Sequence, residues 1–170
     1  LAMESELELR KAGRRLIPRT PADLVAEGAA VIPNAVVDRM IFRNLSPVEN
    51  VAFFARGRLG KRLYNRRIAR YLFQETVLRY DILKHCANLI DESDCFGLSY
   101  QELFGLMLAK WLAANPELIV FFAPLSNEDI KMTERMRDLR QSLKKQGKAV
   151  LLISNDYEQL EGHCDEIKIL

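Results

Sequence analysis

Three groups of residues in this chain of 170 could carry chemistry. Ser99 stands three residues ahead of Glu102, just before an apolar run. In such a capping box the hydroxyl accepts from the amide of the third residue, whose carboxylate accepts from the amide of the serine, and a helix starts there. A helix N-terminus is also a place where an anion such as a phosphate binds. The second group is His85-Cys86 and His163-Cys164 with Cys95, imidazoles and thiols of the kind that ligate zinc. Adjacent residues diverge on a helix or strand while a metal needs converging ligands, so these are read as ordinary side chains and no metal is expected. Three cysteines without a CxxC also argue against a disulfide framework. The third group is Arg56, Arg58, Lys61, Arg62, Arg66, Arg67 and Arg70, with no acidic residue between them. Cations on phosphates with Tyr64 and Tyr71 stacking on bases would suit nucleic acid. The same spacing suits a solvated helix face, with Arg62, Arg66 and Arg70 on one side and Leu63, Ile68, Tyr71 and Leu72 supplying apolar contacts. A net charge of +2 is too small to argue for nucleic acid, which is not expected as a partner.

The elements that hold these residues follow from local signals. Residues 98 to 124, LSYQELFGLMLAKWLAANPELIVFFAP, read as a capped helix, a stop at Asn115-Pro116 and a strand. Leu103, Phe104, Met107, Leu108, Trp111 and Leu112 form one broad apolar helix face. Residues 118 to 123 show no alternation, which suits a strand covered on both faces in a parallel sheet. Upstream, residues 4 to 16 alternate and turn at Ala12-Gly13, a hairpin signal. Thr20, Pro21 and Gly28 punctuate a short helix, and residues 29 to 32 form a strand ended by Pro33. Ser46-Pro47-Val48-Glu49 is a second capping box, opening a helical region expected to reach about Ala87. Residues 91 to 97 make an acidic linker. Residues 130 to 146 form a helix with Ile130, Met132, Met136, Leu139 and Leu143 inward and Gly147 as its cap. Residues 148 to 154 form a strand, Asp156 with Gln159 caps a short helix, and residues 165 to 170 are expected to be a final strand.

Composition bounds the class. With 49% hydrophobic and 28% charged residues the chain is neither disordered nor membrane-like, and its length suits one domain with a real core. The longest apolar run, residues 118 to 125, falls well short of the roughly 20 needed to span a bilayer. The expectation is a soluble, cytoplasmic piece, and an opening Leu1 instead of methionine suits a fragment of something longer.

These stretches carry a resemblance. LSYQELF, AKWLAANP and IVFFAPL stand without a gap where the second nucleotide-binding domain of simple-sugar (ribose and galactose type) ABC importers has LSGGNQQ, ARWLA-x-NP and the Walker B strand LILDEPT. GAAVIPNAVVDRMIFRNLSPVENV resembles GIAYVPEDRKREGLVLDMSVRENI, and KAVLLIS resembles GKAVLLIS. The hairpin stands where the family has GEI-x-L-DGKPV, downstream of its phosphate-binding loop. No G-x-x-x-x-G-K-[ST] occurs in this sequence. The resemblance implies an incomplete α/β ABC-ATPase-type domain, a mostly parallel central sheet with flanking helices, an N-terminal hairpin and a helical subdomain. It divides into residues 1–45 (hairpin and first core strand), 46–114 (helical subdomain and signature helix) and 115–170 (Walker B-like strand and C-terminal part).

The resemblance also implies where chemistry is missing. Phe122 stands at the aspartate that holds the Mg²⁺ shell, Ala123 at the glutamate that activates water, and Asn155 at the switch histidine of many ABC domains. Tyr100 and Gln101 replace the two signature glycines that admit the γ-phosphate of a nucleotide held by the opposite domain. The positions left for weak nucleotide contact are Asn34 at the Q-loop, Ser99, Gln101, Asp129 of the D-loop, and Asn155. Each has a plain structural alternative: Asn34 as a turn residue, Ser99 as a cap, Asp129 as an acidic residue favourable at a helix start. The implied function is a degenerate, non-hydrolysing domain at the inner face of the cell membrane. Its partners would be a competent nucleotide-binding domain and a membrane permease, with ATP and Mg²⁺ bound weakly or shared. The alternatives are a stand-alone interaction or regulatory module and a fragment of an active ATPase.

Overall fold

In the computed structural model, the described residues are 9–11, 14–16, 20–32, 37–55, 65–122, 130–154, 157, 160–161 and 164–169. Strands β1 (Leu9–Lys11) and β2 (Arg14–Leu16) pair antiparallel, Lys11 opposite Arg14, as the hairpin signal predicts. Helix α1 (Pro21–Ala26) starts at Thr20, whose capping box with Asp23 closes, and ends ahead of Gly28 at φ 85°. Strand β3 (Ala29–Ile32) follows, buried throughout.

The core sheet has the order β3, β4 (Leu118–Phe122), β5 (Ala149–Ile153), all parallel. The central strand is β4, and Ile119, Val120 and Phe121 are fully buried. That is why its sequence shows no alternation.

Between β3 and β4 lie the helices. Short α2 (Val37–Met40) precedes α3 (Pro47–Phe54), which opens on the closed Ser46–Glu49 box. Asn50, fully buried, ties the intervening turn to α3: it accepts from the Phe42 amide at 2.9 Å and donates to the carbonyls of Phe42, Leu45 and Ser46. The expected helical region to Ala87 is broken. A new helix, α4 (Arg66–Arg79), starts at Asn65, whose side chain accepts from the amides of Arg67 and Ile68. It ends because Tyr80 turns extended to bury its ring, with its hydroxyl 3.3 Å from Gln146 Oε1. Residues Asp81–Asp91 then form a 3₁₀ segment instead of an α-helix.

Helix α5 (Tyr100–Ala113) is buried on all sides from Leu103 to Ala113, not on one face only. A helix with no solvated face belongs inside a core. Its Gly105 is required by close approach, since a Cβ there would lie 2.4 Å from Cys86 Sγ and 2.7 Å from His85 Nε2. Asn115, at φ 54°, takes the left-handed position after the helix, and Pro116 prevents its continuation. Helix α6 (Ile130–Lys145) buries Met136, Leu139 and Leu143, while the side chains of Ile130 and Met132 lie outside the described residues. It closes with paired bonds, Gly147 N to Lys144 O at 2.9 Å and Lys148 N to Leu143 O at 3.1 Å, Gly147 sitting at φ 73°.

Residues 164–169 are not the final strand the sequence suggests. A strand needs a ladder partner, and among the described residues this segment has none; Asp165 pairs with Lys144 at 2.5 Å at the surface, and Ile169 is largely exposed. The helix expected from Asp156 and Gln159 rests on residues outside those described; Leu160 and Glu161 donate to the Tyr157 carbonyl in a single turn.

Candidate functional site

Because β3, β4 and β5 run parallel in register, their carboxyl ends share one edge, where open α/β sheets bind ligands. Phe122 is the last residue of β4, opposite Ile153 of β5, and both are half-exposed at 36% and 40%. The central strand therefore presents a ring and its neighbour an aliphatic chain at this edge. Neither supplies an oxygen to a hard cation, which Mg²⁺ requires, so these two side chains do not fit a metal-bound nucleotide. Asn34, Ala123, Asp129 and Asn155 follow the ends of the three strands in sequence and lie outside the described residues.

Ser99 and Gln101 belong to a second place, the N-terminus of α5. The Ser99 amide donates to Glu102 Oε2 at 2.8 Å, its hydroxyl donates to the same oxygen at 2.7 Å, and the Glu102 amide reaches Ser99 Oγ at 3.4 Å. The side-chain bond to Ser99, then the backbone bond, hold the Glu102 carboxyl below its ordinary range, helped by the nearby His85. Gln101 is exposed, and its carbonyl lies 3.1 Å from His85 Nε2. The Tyr100 ring, largely exposed, stacks on Phe104 with centroids 6.5 Å apart. Two side chains thus stand in the first helical turn beside a serine already engaged as a cap.

One group escaped the sequence reading, Lys110, while Cys86 and Cys95 are the ordinary side chains it expected. Lys110 is 1% exposed on α5; its ammonium donates to the Met40 carbonyl of α2 and sits 3.9 Å from the Phe54 ring centroid of α3. Burial pushes its pKa down to about 8. The signal was available, because Lys110 lies seven residues after Leu103, on the apolar side of the helix. Cys86 is buried, its Sγ 3.4 Å from His85 Nε2, and burial with Glu102 nearby raises its pKa to about 12. Cys95, also buried, is raised to about 11, mainly by burial. Among the described residues no three His, Cys, Asp or Glu side chains cluster to hold a metal.

The chain is similar to known proteins along nearly all of its length. The D-allose import ATP-binding protein AlsA of Escherichia coli is 26% identical over 167 residues, covering 95% of this chain and 32% of that protein. The ribose import ATP-binding protein RbsA of Pseudomonas putida is 29% identical over 171 residues, covering 100% of this chain and 33% of that protein. The homologues of this chain are sugar-import ABC ATP-binding proteins. No protein-family model matches.

Solved structures agree on the fold. CbiO1 of Clostridium perfringens, described as part of the ABC transporter complex cbiONQ, aligns with TM-score 0.65 at 18% identity, covering 91% of this chain and 58% of that one. The ATP-binding cassette MJ0796 in a post-hydrolysis dimer bound to ADP and Pi aligns with TM-score 0.63 at 18% identity, covering 89% and 64%. The fold is that of an ABC ATPase domain, present in part, as the resemblance implies. The chain spans about a third of the length of the curated relatives it matches over most of its own. Among the described residues no helix is long and apolar enough to cross a membrane.

Proposed function

We propose that this chain is a non-hydrolysing ABC domain that serves a sugar-type importer as the structural partner of a competent nucleotide-binding domain. The observation that carries this reading is Phe122, a half-exposed ring ending the central parallel strand and followed in sequence by Ala123. Phosphoryl transfer in P-loop enzymes needs a carboxylate for the metal and a group that positions water. A ring and a methyl supply neither.

The residues left for weak nucleotide contact are Asn34, Ser99, Gln101, Asp129 and Asn155. Four of them carry amides or a hydroxyl, which hydrogen-bond a phosphate oxygen but do not take a proton from water near neutral pH. Residues 1–45 and 115–170 form the sheet-bearing part in this reading, and 46–114 the helical part that meets a membrane permease on the cytoplasmic side. The relatives named as import ATP-binding proteins support a role in import.

Calorimetric titration of the chain with ATP, in Mg²⁺ and again in EDTA, tests the reading. With no metal ligand at the strand end, Mg²⁺ should leave any ATP affinity unchanged. A tenfold or greater tightening by Mg²⁺ would overturn it.

A further inference from the structure

Helix α2 is the shortest helix among the described residues, and four residues cannot hold a helix by themselves. It stays on the core through Val37 and, just beyond it, Ile41, both buried. Its last carbonyl, that of Met40, is the one hydrogen-bond acceptor that the described residues give the Lys110 ammonium. An ammonium carries three N–H donors, and its other support is the Phe54 ring, 3.9 Å from Nζ. No charged side chain among the described residues compensates it, since burial alone displaces its pKa. On the elements around it Arg39 of α2 is exposed, Glu49 of α3 is held by Ser46, and Glu102 of α5 by Ser99. Past Met40 the chain is tied down again, because Asn50 bonds both the amide and the carbonyl of Phe42. Residues 37–41 are thus a short piece of chain with a fixed point at Phe42. Helix α5, buried from Leu103 to Ala113, has no comparable way to bring the ammonium to water.

We propose that residues 37–41 form a flap over Lys110 that swings about Phe42 to admit water to the ammonium, and that loss of the ammonium's proton holds the flap shut. Elements with few buried contacts open ahead of the rest of a native protein. With the flap closed the amine has a pKa of about 8, and in water it returns to its ordinary 10.5. Between those values the closed state binds fewer protons than the open one, so rising pH favours closure. The closing equilibrium should gain about tenfold from pH 7 to pH 9, and up to about 300-fold over the full range. Helix α2 begins five residues beyond the end of β3, so the flap's position bears on the carboxyl edge of the sheet. The device is separate from nucleotide chemistry and stands whether or not the chain hydrolyses ATP.

Hydrogen exchange of the whole chain, followed by mass spectrometry at pH 7 and pH 9 and corrected for the intrinsic rates, tests it. The amides of residues 37–41 should exchange sooner than those of residues 103–113 at both pH values, and their protection should rise about tenfold at pH 9. Lys110→Met, with no proton to lose, should show no such rise, and circular dichroism should show it folded. Should that variant fail to fold, the tenfold rise in the parent decides alone. Exchange of residues 37–41 in step with residues 103–113, equal protection at the two pH values, or a rise kept in the Met variant would overturn the proposal.

Discussion

Replacing Lys110 by Met removes a buried ammonium while keeping an unbranched chain of similar length. The pKa of about 8, against an ordinary 10.5, corresponds to about 3 kcal/mol of disfavoured charge in the folded chain. Below pH 8 the amine is charged both folded and unfolded, and the folded state bears the whole cost of holding it out of water. Between pH 8 and 10.5 the unfolded chain binds more protons than the folded one, so stability rises with pH across that window and levels off above it. The Met40 carbonyl and the Phe54 ring both favour the charged form, which makes about 3 kcal/mol the upper limit of the rise. At neutral pH the variant escapes the desolvation cost. It also loses a charge-assisted hydrogen bond, roughly 1.5–3 kcal/mol, and a ring contact of about 1–2 kcal/mol. Its stability there should therefore fall within about 2 kcal/mol of the parent's. The assay is urea denaturation of both proteins from pH 7 to 10.5, using their difference so that other lysines and tyrosines cancel. The parent should gain on the Met variant by up to about 3 kcal/mol. A difference that stays flat across the range would refute the claim that Lys110 is a charge held out of water.

Gly105→Ala places a Cβ against Cys86 Sγ and His85 Nε2; overpacking of this kind costs about 1–3 kcal/mol and should show as a lowered thermal midpoint. Ser99→Ala removes the cap of α5 and should cost about 1 kcal/mol. Because Glu102 has a lowered folded pKa, its share of that stability is complete above about pH 4.5 and is lost as pH falls through the folded value. The Ser99→Ala variant should therefore show a shallower acid dependence in denaturation curves. Cys86 and Cys95, buried with pKa values of about 12 and 11, should resist iodoacetamide at pH 8 until denaturant is added, as mass spectrometry of the modified chain would show.

What the sequence revealed was mostly local. Thr20 announces a helix as an N-cap ahead of Pro21, and Ser46 and Ser99 as capping boxes, because these signals need only residues a few positions apart; all three caps close. Strand β4 was legible because an unbroken apolar run of strand length has few other uses. What depends on distant partners was not legible. Residues 164–169 have strand-like composition but a strand requires a neighbour, and among the described residues they have none. The helical region expected to reach about Ala87 changes from α to 3₁₀ where Tyr80 is buried with its hydroxyl toward Gln146, a contact no local pattern encodes. Lys110 and Asn50 read as surface residues by type, yet backbone carbonyls elsewhere in the fold satisfy them inside the core. At the strand edge, Phe122 took its meaning from the resemblance, and the fold then set it at the end of the central strand.

The central claim, that a ring and a methyl cannot manage metal and water, is tested most directly by phosphate release from Mg-ATP. Purified chain incubated with millimolar nucleotide should release no phosphate beyond a protein-free blank. Steady release that rises in proportion to the chain and follows it through successive chromatographic fractions would contradict the account.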